Sequence, residues 1–370
     1  MTMSYEPSIT VHGVNASYFT RKITGYLDYK DLRWWLRPSI GANPRAHAAG
    51  WNGGVPVIEL PDGALIWDST SVLCHLETRH PAPSIHPEDP VHRFLDFVLD
   101  DFCDEWFYRH AVGSRWSYDE NARSGAHDIG REGAYELGAH IEASYAIVMR
   151  SMTESLPRLG VTPSNIEAWM SESLHPWWAA LDAHLQAQPF LFGGRPSLAD
   201  FGVFGGHAAH FVRDPLCRQW IDTRAPAVVA HTHRLMMPKG ETFGPWRSDG
   251  SGDVPATLVA VLAEMGRHYL PWVARAGAPD AEGWFDVELA PGVVASIPST
   301  AFLREARGIV LARYVAARTP AIDAVLEEAG ILRWFADFVD QATSVPDPTV
   351  PPRPAQNRPY PVGPAADLVA

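Results

Sequence analysis

The spacing of apolar residues over the first 80 positions predicts a small sheet interleaved with helices. Phe19, Ile23, Tyr26 and Leu27 recur at i, i+4, i+7 and i+8, the period of an amphipathic helix. Short apolar runs bounded by Gly, Pro and Asp predict strands on either side of it. The predicted order is strand, helix, strand, loop, strand, strand and helix, at residues 9–14, 18–29, 32–36, 38–54, 55–60, 64–67 and from 68 onward.

Helical periodicity dominates after a proline-rich linker at residues 81–90. One apolar face of the segment 91–110 predicts a long amphipathic helix, whereas the polar segment 119–133 predicts a loop. Further predicted elements are helices at 134–156, 174–188, 255–274, 302–317 and 322–338 and a β-hairpin of strands 284–289 and 293–297. Residues 238–240 and 248–252 predict a flexible joint, and eight prolines between 346 and 364 predict an extended tail.

Composition narrows the class of protein. A chain of 370 residues with 46% apolar and 20% charged residues is expected to fold into two or three globular domains. A formal charge of −13 argues against nucleic acid or an anionic membrane as the main partner. No apolar run approaches the roughly 20 residues of a membrane span, and residues 1–10 have no secretory-signal pattern. Three scattered cysteines predict no disulfide framework, so we expect a reducing cytoplasm.

Two neighbouring segments combine groups that would hold a peptide-like ligand. Pro56 cannot donate a backbone hydrogen bond and belongs at the start of a strand, where an X-Pro bond readily adopts the cis form. A cis bond would turn the amide and carbonyl of Val55 outward. Asp68 and Ser69 place a carboxylate, a hydroxyl and free N–H groups at a helix start, which suits an amino acid's ammonium and carboxylate. Either half alone also fits an ordinary hairpin leading into a capped helix.

A further motif, residues 192–201, predicts a structural capping pair. Ser197 and Asp200 stand three residues apart, so each side chain can bond to the other's backbone N–H. Leu198 and Phe201 are predicted to point into the core. The role expected of Asp200 is therefore in folding and not in catalysis.

Together these motifs resemble the glutathione S-transferase superfamily over about residues 8–238. The resemblance rests on Val55–Pro56, Asp68–Ser69, Ser197–Asp200 and Ser17–Lys22, where many such transferases carry Ser or Cys followed by Arg-Lys. It implies an α+β fold with a thioredoxin-like N-terminal domain and an all-α C-terminal domain, followed here by a helical extension with a hairpin. The expected boundaries are 8–82, 90–238 and 253–342, with a Pro-rich tail at 346–370.

The resemblance also implies a function. Glutathione would be the co-substrate, held by Val55, Pro56, Asp68 and Ser69. Ser17 would stabilise its thiolate for attack on an apolar electrophile, because a hydroxyl donor and the positive end of a helix lower a thiol's pKa. Conjugation, isomerisation and reductive cleavage remain open. Thr20 is the other hydroxyl that could contact the thiol, and a plain N-cap is the alternative role of Ser17.

The remaining polar and aromatic groups give weaker signals. Tyr108, Trp116 and Tyr118 lie where such transferases line the electrophile pocket, although core packing explains them equally well. A homodimer is implied by the resemblance. Acidic residues at 100, 101, 104 and 105 are expected to form a solvated helix face and not a metal site. The histidines at 207, 210, 231 and 233 are expected to be partly buried or solvated, because zinc spacing is absent.

The second hypothesis is a binding or assembly protein that keeps the fold without turnover. The extension, the Pro-rich tail and two departures from the family favour it: Tyr18 replaces a proline that often follows the catalytic residue, and Gly53–Gly54 precede Val55. A hydrolase or metalloenzyme has no support, because the sequence contains no Gly-X-Ser-X-Gly and no metal-ligand spacing.

Overall fold

The computed structural model describes residues 8–41, 43–51, 54–138, 140–238, 243–247 and 253–352. Gly53, the predicted joint at 239–240 and 248–252, and the tail beyond 352 lie outside the described residues. The described strands are β1 Ile9–Gly13, β2 Trp34–Pro38, β3 Val57–Glu59, β4 Leu65–Ile66, β5 Trp284–Ala290 and β6 Val293–Pro298.

The described helices follow the order of the chain. They are α1 Tyr18–Tyr29, α2 Pro44–Ala48, α3 Ser69–Arg79, α4 Pro90–Phe102, α5 Tyr108–Ser117, α6 Asp119–Leu137, α7 Ile141–Ser155, α8 Ile166–Ala168, α9 His175–Ala187, α10 Leu198–Gly206, α11 Pro215–Arg224, α12 Pro226–Met236, α13 Ala256–Met265, α14 Tyr269–Ala276, α15 Ala301–Ala317, α16 Pro320–Glu328 and α17 Arg333–Ala336. π-Helical turns follow α4, α8 and α10 at Cys103–Phe107, Trp169–Leu174 and His207–Phe211; 3-10 turns lie at Leu156–Leu159 and Val339–Gln341.

The N-terminal half is a four-stranded mixed sheet in the order β2-β1-β3-β4, with helices on its faces. β1 pairs in parallel with β2, whereas β3 is antiparallel to both β1 and β4. This is the predicted thioredoxin-like arrangement, and α1 has the predicted bounds. The segment 38–54 is not only a loop, because Asn43 caps the short helix α2 through its side chain.

The helical half packs around a buried central helix, α10, which also touches the N-terminal half. α10 lies directly against α1. A Cβ on Gly205 would come within 2.7 Å of the carbonyl oxygen of Tyr18, so only glycine permits this close approach. The contact joins the two halves next to the first strand-to-helix junction.

Four predictions for the helical region were wrong in detail. The segment 119–133 is helical, because α6 buries small or hydrogen-bonded residues such as Asn121, Ala122 and Ala126 and so has a weak apolar stripe. The predicted helix 134–156 is interrupted where Gly138 adopts φ +59° and α6 ends. The predicted helices 255–274 and 322–338 are each divided in two, the second at Gly330 with φ +71°.

The extension shares the core of the helical half. The ring of Phe94 on α4 lies 5.7 Å from that of Tyr314 on α15 and 5.9 Å from that of Phe335 on α17. All three side chains are buried, and they belong to one continuous hydrophobic core that also includes the hairpin residues Val287 and Ile297. The predicted β-hairpin is confirmed with β5 and β6 antiparallel.

Candidate functional site

Strand register brings the predicted site segments to one edge of the N-terminal sheet. His12 pairs with Val57, and Ile58 pairs with Ile66. When these registers are continued, the end of β1, the start of β3 and the residue that follows β4 stand side by side. A Cβ built on Gly13 would lie 3.4 Å from the Cβ of Pro56, which confirms the close approach. The starts of α1 and α3 therefore open at the same edge.

Ser17 caps α1 and retains a free hydroxyl proton. Its Oγ accepts a hydrogen bond from the backbone N–H of Thr20 at 3.4 Å, and the residue is partly exposed. Because the cap uses a lone pair of the oxygen, the O–H remains available as a donor. The capping role and a donor role are therefore compatible in one side chain.

Thr20, the other candidate hydroxyl, faces inward. It is fully buried, and a Cβ on Gly13 would lie 2.5 Å from its Oγ1. Its hydroxyl makes no hydrogen bond in the described part of the chain. A ligand at the sheet edge can therefore reach Ser17 and not Thr20.

A buried ion pair holds the loop that carries Ser17. The guanidinium of Arg115 pairs with the carboxylate of Asp214 at 2.8 Å, and both side chains are 1% exposed. Its Nη1 also donates to the carbonyl oxygen of Ala16 at 2.6 Å. Asn15 donates its backbone N–H to Glu132 of α6 at 2.9 Å. The helical half thus fixes the position of Ser17 from two directions, a role that the sequence did not indicate for Arg115.

The Val55–Pro56 peptide bond is cis, the form that the sequence allowed. Pro56 is buried and Val55 is partly exposed. Among the described residues, no hydrogen bond uses the backbone N–H or C=O of Val55. An extended peptide-like ligand could pair with both groups.

Asp68 caps α3 from an uncommon backbone conformation. Its φ of +78° and ψ of 109° lie outside the regions that non-glycine residues usually adopt, and such strain is typical of ligand-binding positions. Its carboxylate accepts the backbone N–H of Ser71 at 3.0 Å. The N–H groups of Ser69 and Thr70 make no hydrogen bond with described residues. The helix start therefore offers donors to an anion beside a carboxylate.

The hydroxyl of Ser69 differs from the prediction. Ser69 is only 5% exposed, and its Oγ donates to Oδ2 of Asp104 at 3.3 Å. A ligand carboxylate at this helix start would have to compete with Asp104 for that hydroxyl. The backbone N–H groups are the less restricted donors.

The expectation of a solvated acidic face was wrong. Nζ of Lys22 is fully buried and lies 2.6 Å from Oδ1 of Asp100 and 2.8 Å from Oδ2 of Asp104. Thr70 donates to Asp100 at 2.6 Å, which joins α1, α3 and α4. Charge periodicity alone did not reveal the buried partner, because Lys22 is about 80 positions away. Neighbouring Asp101 accepts a hydrogen bond from the hydroxyl of Tyr269, and Glu105 is buried.

In this network the single ammonium of Lys22 pairs with two carboxylates, those of Asp100 and Asp104. Burial raises the pKa of Asp100 to about 7; Lys22 opposes the rise and Asp104 adds to it. Burial alone would lower the pKa of Lys22, but the two carboxylates outweigh that effect and raise it. The two carboxylates therefore hold the buried ammonium of Lys22 in its charged form.

The three aromatic candidates do not form one pocket. The ring of Tyr108 stacks on Phe19 with centroids 5.0 Å apart and lies edge-on to Tyr18. Trp116 is buried in the helical core. Tyr118 donates to Glu167 at 2.8 Å and packs against Trp220. Of the three, only Tyr108 contacts residues next to Ser17.

The histidines at 207, 210 and 231 are more buried than predicted. His207 accepts a hydrogen bond from Trp178 on Nε2 and donates from Nδ1 to the carbonyl of Val203. Burial lowers its pKa to about 3, which keeps it neutral. Nε2 of His231 donates to Asp200 at 2.8 Å. No group of three metal-ligating side chains occurs in the ranges that the structure covers.

Comparison with known proteins identifies two domains in the chain. The model of the glutathione S-transferase N-terminal domain matches residues 11–84, and that of the glutathione S-transferase C-terminal domain matches residues 166–234. No curated protein sequence gives a significant match. The two matched domains follow each other in the order that the sequence predicted.

The comparison with solved structures also gives matches over part of this chain, at TM-scores below 0.5. Beta-etherase LigF from Sphingobium sp. strain SYK-6 is 17% identical, with 62% of this chain and 94% of that chain covered and a TM-score of 0.43. A GST-like protein from Pseudomonas syringae is 18% identical, with 65% and 76% covered and a TM-score of 0.42. A theta class glutathione S-transferase from Xanthomonas axonopodis pv. citri, solved with glutathione bound, is 20% identical, with 63% and 94% covered and a TM-score of 0.37. Among the described helices, none has the length and apolar character needed to span a membrane.

Proposed function

The chain belongs to the glutathione S-transferase superfamily, and on this premise we propose that it is a glutathione-dependent transferase. Glutathione is the co-substrate, and its thiolate attacks an apolar electrophile. The observation that carries this proposal is the convergence of Ser17, Val55 and the Asp68–Ser69 helix start at one sheet edge. Family membership alone would not select these residues.

In the proposed complex, glutathione lies across the end of the sheet, next to the residues that precede β3. The backbone N–H and C=O of Val55 pair with the cysteinyl unit. The γ-glutamyl carboxylate accepts from the N–H groups of Ser69 and Thr70, where the positive end of α3 favours an anion. Asp68 pairs with the γ-glutamyl ammonium. The strained backbone of Asp68 supports this assignment, because it orients a capping carboxylate at the ligand position.

Ser17 supplies the chemical step. Its hydroxyl donates to the glutathione sulfur and stabilises the thiolate relative to the thiol, together with the positive end of α1. The thiolate then forms a bond to an electrophilic carbon, and the leaving group or electron pair departs from that carbon. Arg115 acts as a positioning residue, because it holds the carbonyl of Ala16 next to Ser17.

The electrophile is proposed to enter beside Tyr108 and Phe19. Their stacked rings offer an apolar surface close to the start of α1, which suits an apolar or aromatic substrate. Conjugation, isomerisation and reductive cleavage all begin with the same thiolate. We also propose that the protein is a homodimer in the cytoplasm. Its three cysteines are free thiols, which agrees with a reducing compartment.

A binding or assembly role without turnover is the second candidate. The hydrogen bond from Ser69 to Asp104 favours it, because one expected glutathione donor is already engaged. In that case glutathione would bind weakly or not at all, and the fold would serve only as a scaffold.

Two measurements on the full chain separate the candidates. Retention on immobilised glutathione with elution by free glutathione tests binding, and conjugation of 1-chloro-2,4-dinitrobenzene tests turnover. A transferase passes both tests, and Asp68→Asn weakens retention. Asp62→Asn, which lies in the exposed turn before β4, is the matched control. Binding without turnover, across several electrophile classes, would favour the scaffold role.

A further inference from the structure

The last described segment of the extension, residues 343–352, crosses from α15 to α3 and is called the strap below. At its start, the backbone N–H of Thr343 donates to the carbonyl oxygen of Gly308 on α15 at 3.1 Å. Further along, the carbonyl oxygen of Pro348 accepts a hydrogen bond from Nδ1 of His75 on α3 at 2.8 Å. The strap therefore connects a helix of the extension to a helix of the N-terminal half.

The strap forms one wall of a cavity of about 820 Å³. Helices α3, α4 and α15 form the other walls, and every strap residue from 345 to 352 except Thr349 lines the cavity. Asp68 and Thr70, at the start of α3, line it as well. A molecule that passes the strap can therefore reach the start of α3.

Few contacts hold the strap against the rest of the molecule. Residues 343–351 are exposed, including the apolar side chains of Val345 and Val350. Among the described residues, the other hydrogen bonds of the strap are internal, because Asp347 accepts from Thr349 and Val350. Segments with little buried area open locally at a low free-energy cost. The strap can therefore open while the buried core of the extension stays folded.

The attachment to α3 is a single hydrogen bond on a stiff segment. Four of the ten strap residues are prolines, at 346, 348, 351 and 352. Their rings fix φ, so the strap loses less conformational entropy when it closes. His75 is buried in α3. Because a carbonyl oxygen can only accept, Nδ1 of His75 carries the proton of this bond.

We propose that the strap opens and closes over the cavity and that the hydrogen bond from His75 to Pro348 is its latch. In the closed form the strap restricts entry to the cavity and thus to the start of α3. When the latch breaks, the strap moves away from α3 and stays attached to α15 through Thr343. The proposal concerns access to the cavity and does not depend on the transferase reaction.

The cysteines provide a reporter of this motion and two internal controls. Cys74 precedes His75 on α3, is partly exposed and lines the cavity. Cys103 and Cys217 are fully buried. The labelling rate of Cys74 therefore measures access to the cavity, whereas labelling of the other two cysteines measures unfolding.

Labelling of the full chain with N-ethylmaleimide at one fixed pH, followed by peptide mapping, tests the latch. His75→Leu removes the donor and should label Cys74 about twofold to tenfold faster, the scale of one lost neutral hydrogen bond. His75→Asn, which is close to leucine in shape and keeps an N–H donor, should restore the parental rate. The exposed His233→Leu is the control and should leave the rate unchanged.

A variant in the strap itself separates its motion from local effects of a change beside Cys74. Pro348→Gly keeps the carbonyl oxygen but loosens the strap, so it should also accelerate labelling of Cys74. Pro291→Gly, in the exposed turn of the β-hairpin, is the matched control and should have no effect. Melting curves confirm that each variant is folded.

Three results would overturn the proposal. The first is an unchanged rate at Cys74 in both His75→Leu and Pro348→Gly. The second is an equal acceleration at Cys217, which would indicate general unfolding. The third is a rate in His75→Asn as high as that in His75→Leu, which would show that the hydrogen bond is not the latch. The measurement needs neither glutathione nor turnover, so its outcome is separate from that of the transferase proposal.

Discussion

At the scale of single residues, the sequence identified the groups that meet at the sheet edge but not the contacts that hold them there. Ser17, Val55 and Asp68 follow from local patterns, because a cap, an X-Pro bond and a helix start are each visible within a few positions. Arg115 could not be identified in this way, since the carbonyl that it contacts is 99 positions away. Long-range polar contacts leave no local periodicity.

Ser17→Ala is expected to lower kcat by about 10-fold to 10³-fold, the scale of losing one donor to a developing anion. The matched control is Thr20→Val, because the Thr20 hydroxyl is buried and makes no described hydrogen bond. That control should keep the parental kcat. Steady-state kinetics with 1-chloro-2,4-dinitrobenzene and glutathione measures both. Equal losses of kcat in the two variants would show that Ser17 does not have the assigned catalytic role.

His86 is expected to make folding stability depend on pH. Burial disfavours the charged imidazole, but the carboxylate of Asp96, 4.0 Å from Nδ1, and the neighbouring Cys74 outweigh burial and raise the pKa of His86 from an ordinary 6.5 to about 9 in the folded chain. The group's contribution is therefore fully present below about pH 6.5 and is lost as the pH rises through about 9. Urea unfolding between pH 6 and 9.5 should show this decline in the parent and a flatter profile in His86→Gln. The exposed His233→Gln should retain the parental slope.

At the scale of elements, the sequence predicted a helix correctly where a capping residue marks its start. The prediction failed where the buried face of a helix consists of small or polar residues. Ser197 and Asp200 form the predicted capping box at α10. In contrast, α6 was missed because its buried face is built from alanine, glycine and asparagine, which carry no apolar period. The acidic residues of α4 were misassigned for a related reason: their solvation depends on Lys22 from another helix.

Asp200→Ala is expected to destabilise the fold by about 2–5 kcal/mol, because it removes a fully buried acceptor. Its carboxylate accepts from Ser197, Leu191 and His231, so three segments lose a partner at once. Denaturant unfolding measures the loss, with the exposed Asp280→Ala as the control. The folded fraction should keep its kcat. A large fall in kcat with unchanged stability would instead indicate a direct role in the site.

At the scale of the whole molecule, the sequence predicted the order of the parts but not their dependence on one another. The extension was predicted as a separate segment, yet its residues complete the core of the helical half. A composition shift shows where a joint lies in the chain, whereas shared burial is a property of the three-dimensional packing. The cavity between α3 and α15 could not be predicted from the sequence for the same reason.

Phe335→Ala is expected to lower the stability of the whole helical half by about 3–5 kcal/mol, the cost of truncating a buried aromatic side chain. Phe335 is fully buried against Phe94 and Tyr314. Far-UV circular dichroism and tryptophan fluorescence should shift together to a lower melting temperature. Trp284→Ala, which truncates a side chain that is 56% exposed, is the control. A separate early transition for the extension alone would contradict a shared core.

The contact of Phe94 with Tyr314 and Phe335 also implies that covalent continuity is not needed to hold the molecule together. Phe94 and its two partners lie on opposite sides of the segment 239–252. A break in the chain there would sever the polypeptide and leave the aromatic contacts intact. Residues 1–247 and 248–370, produced as two polypeptides in one cell, should therefore assemble by fragment complementation and purify together through a tag on either piece.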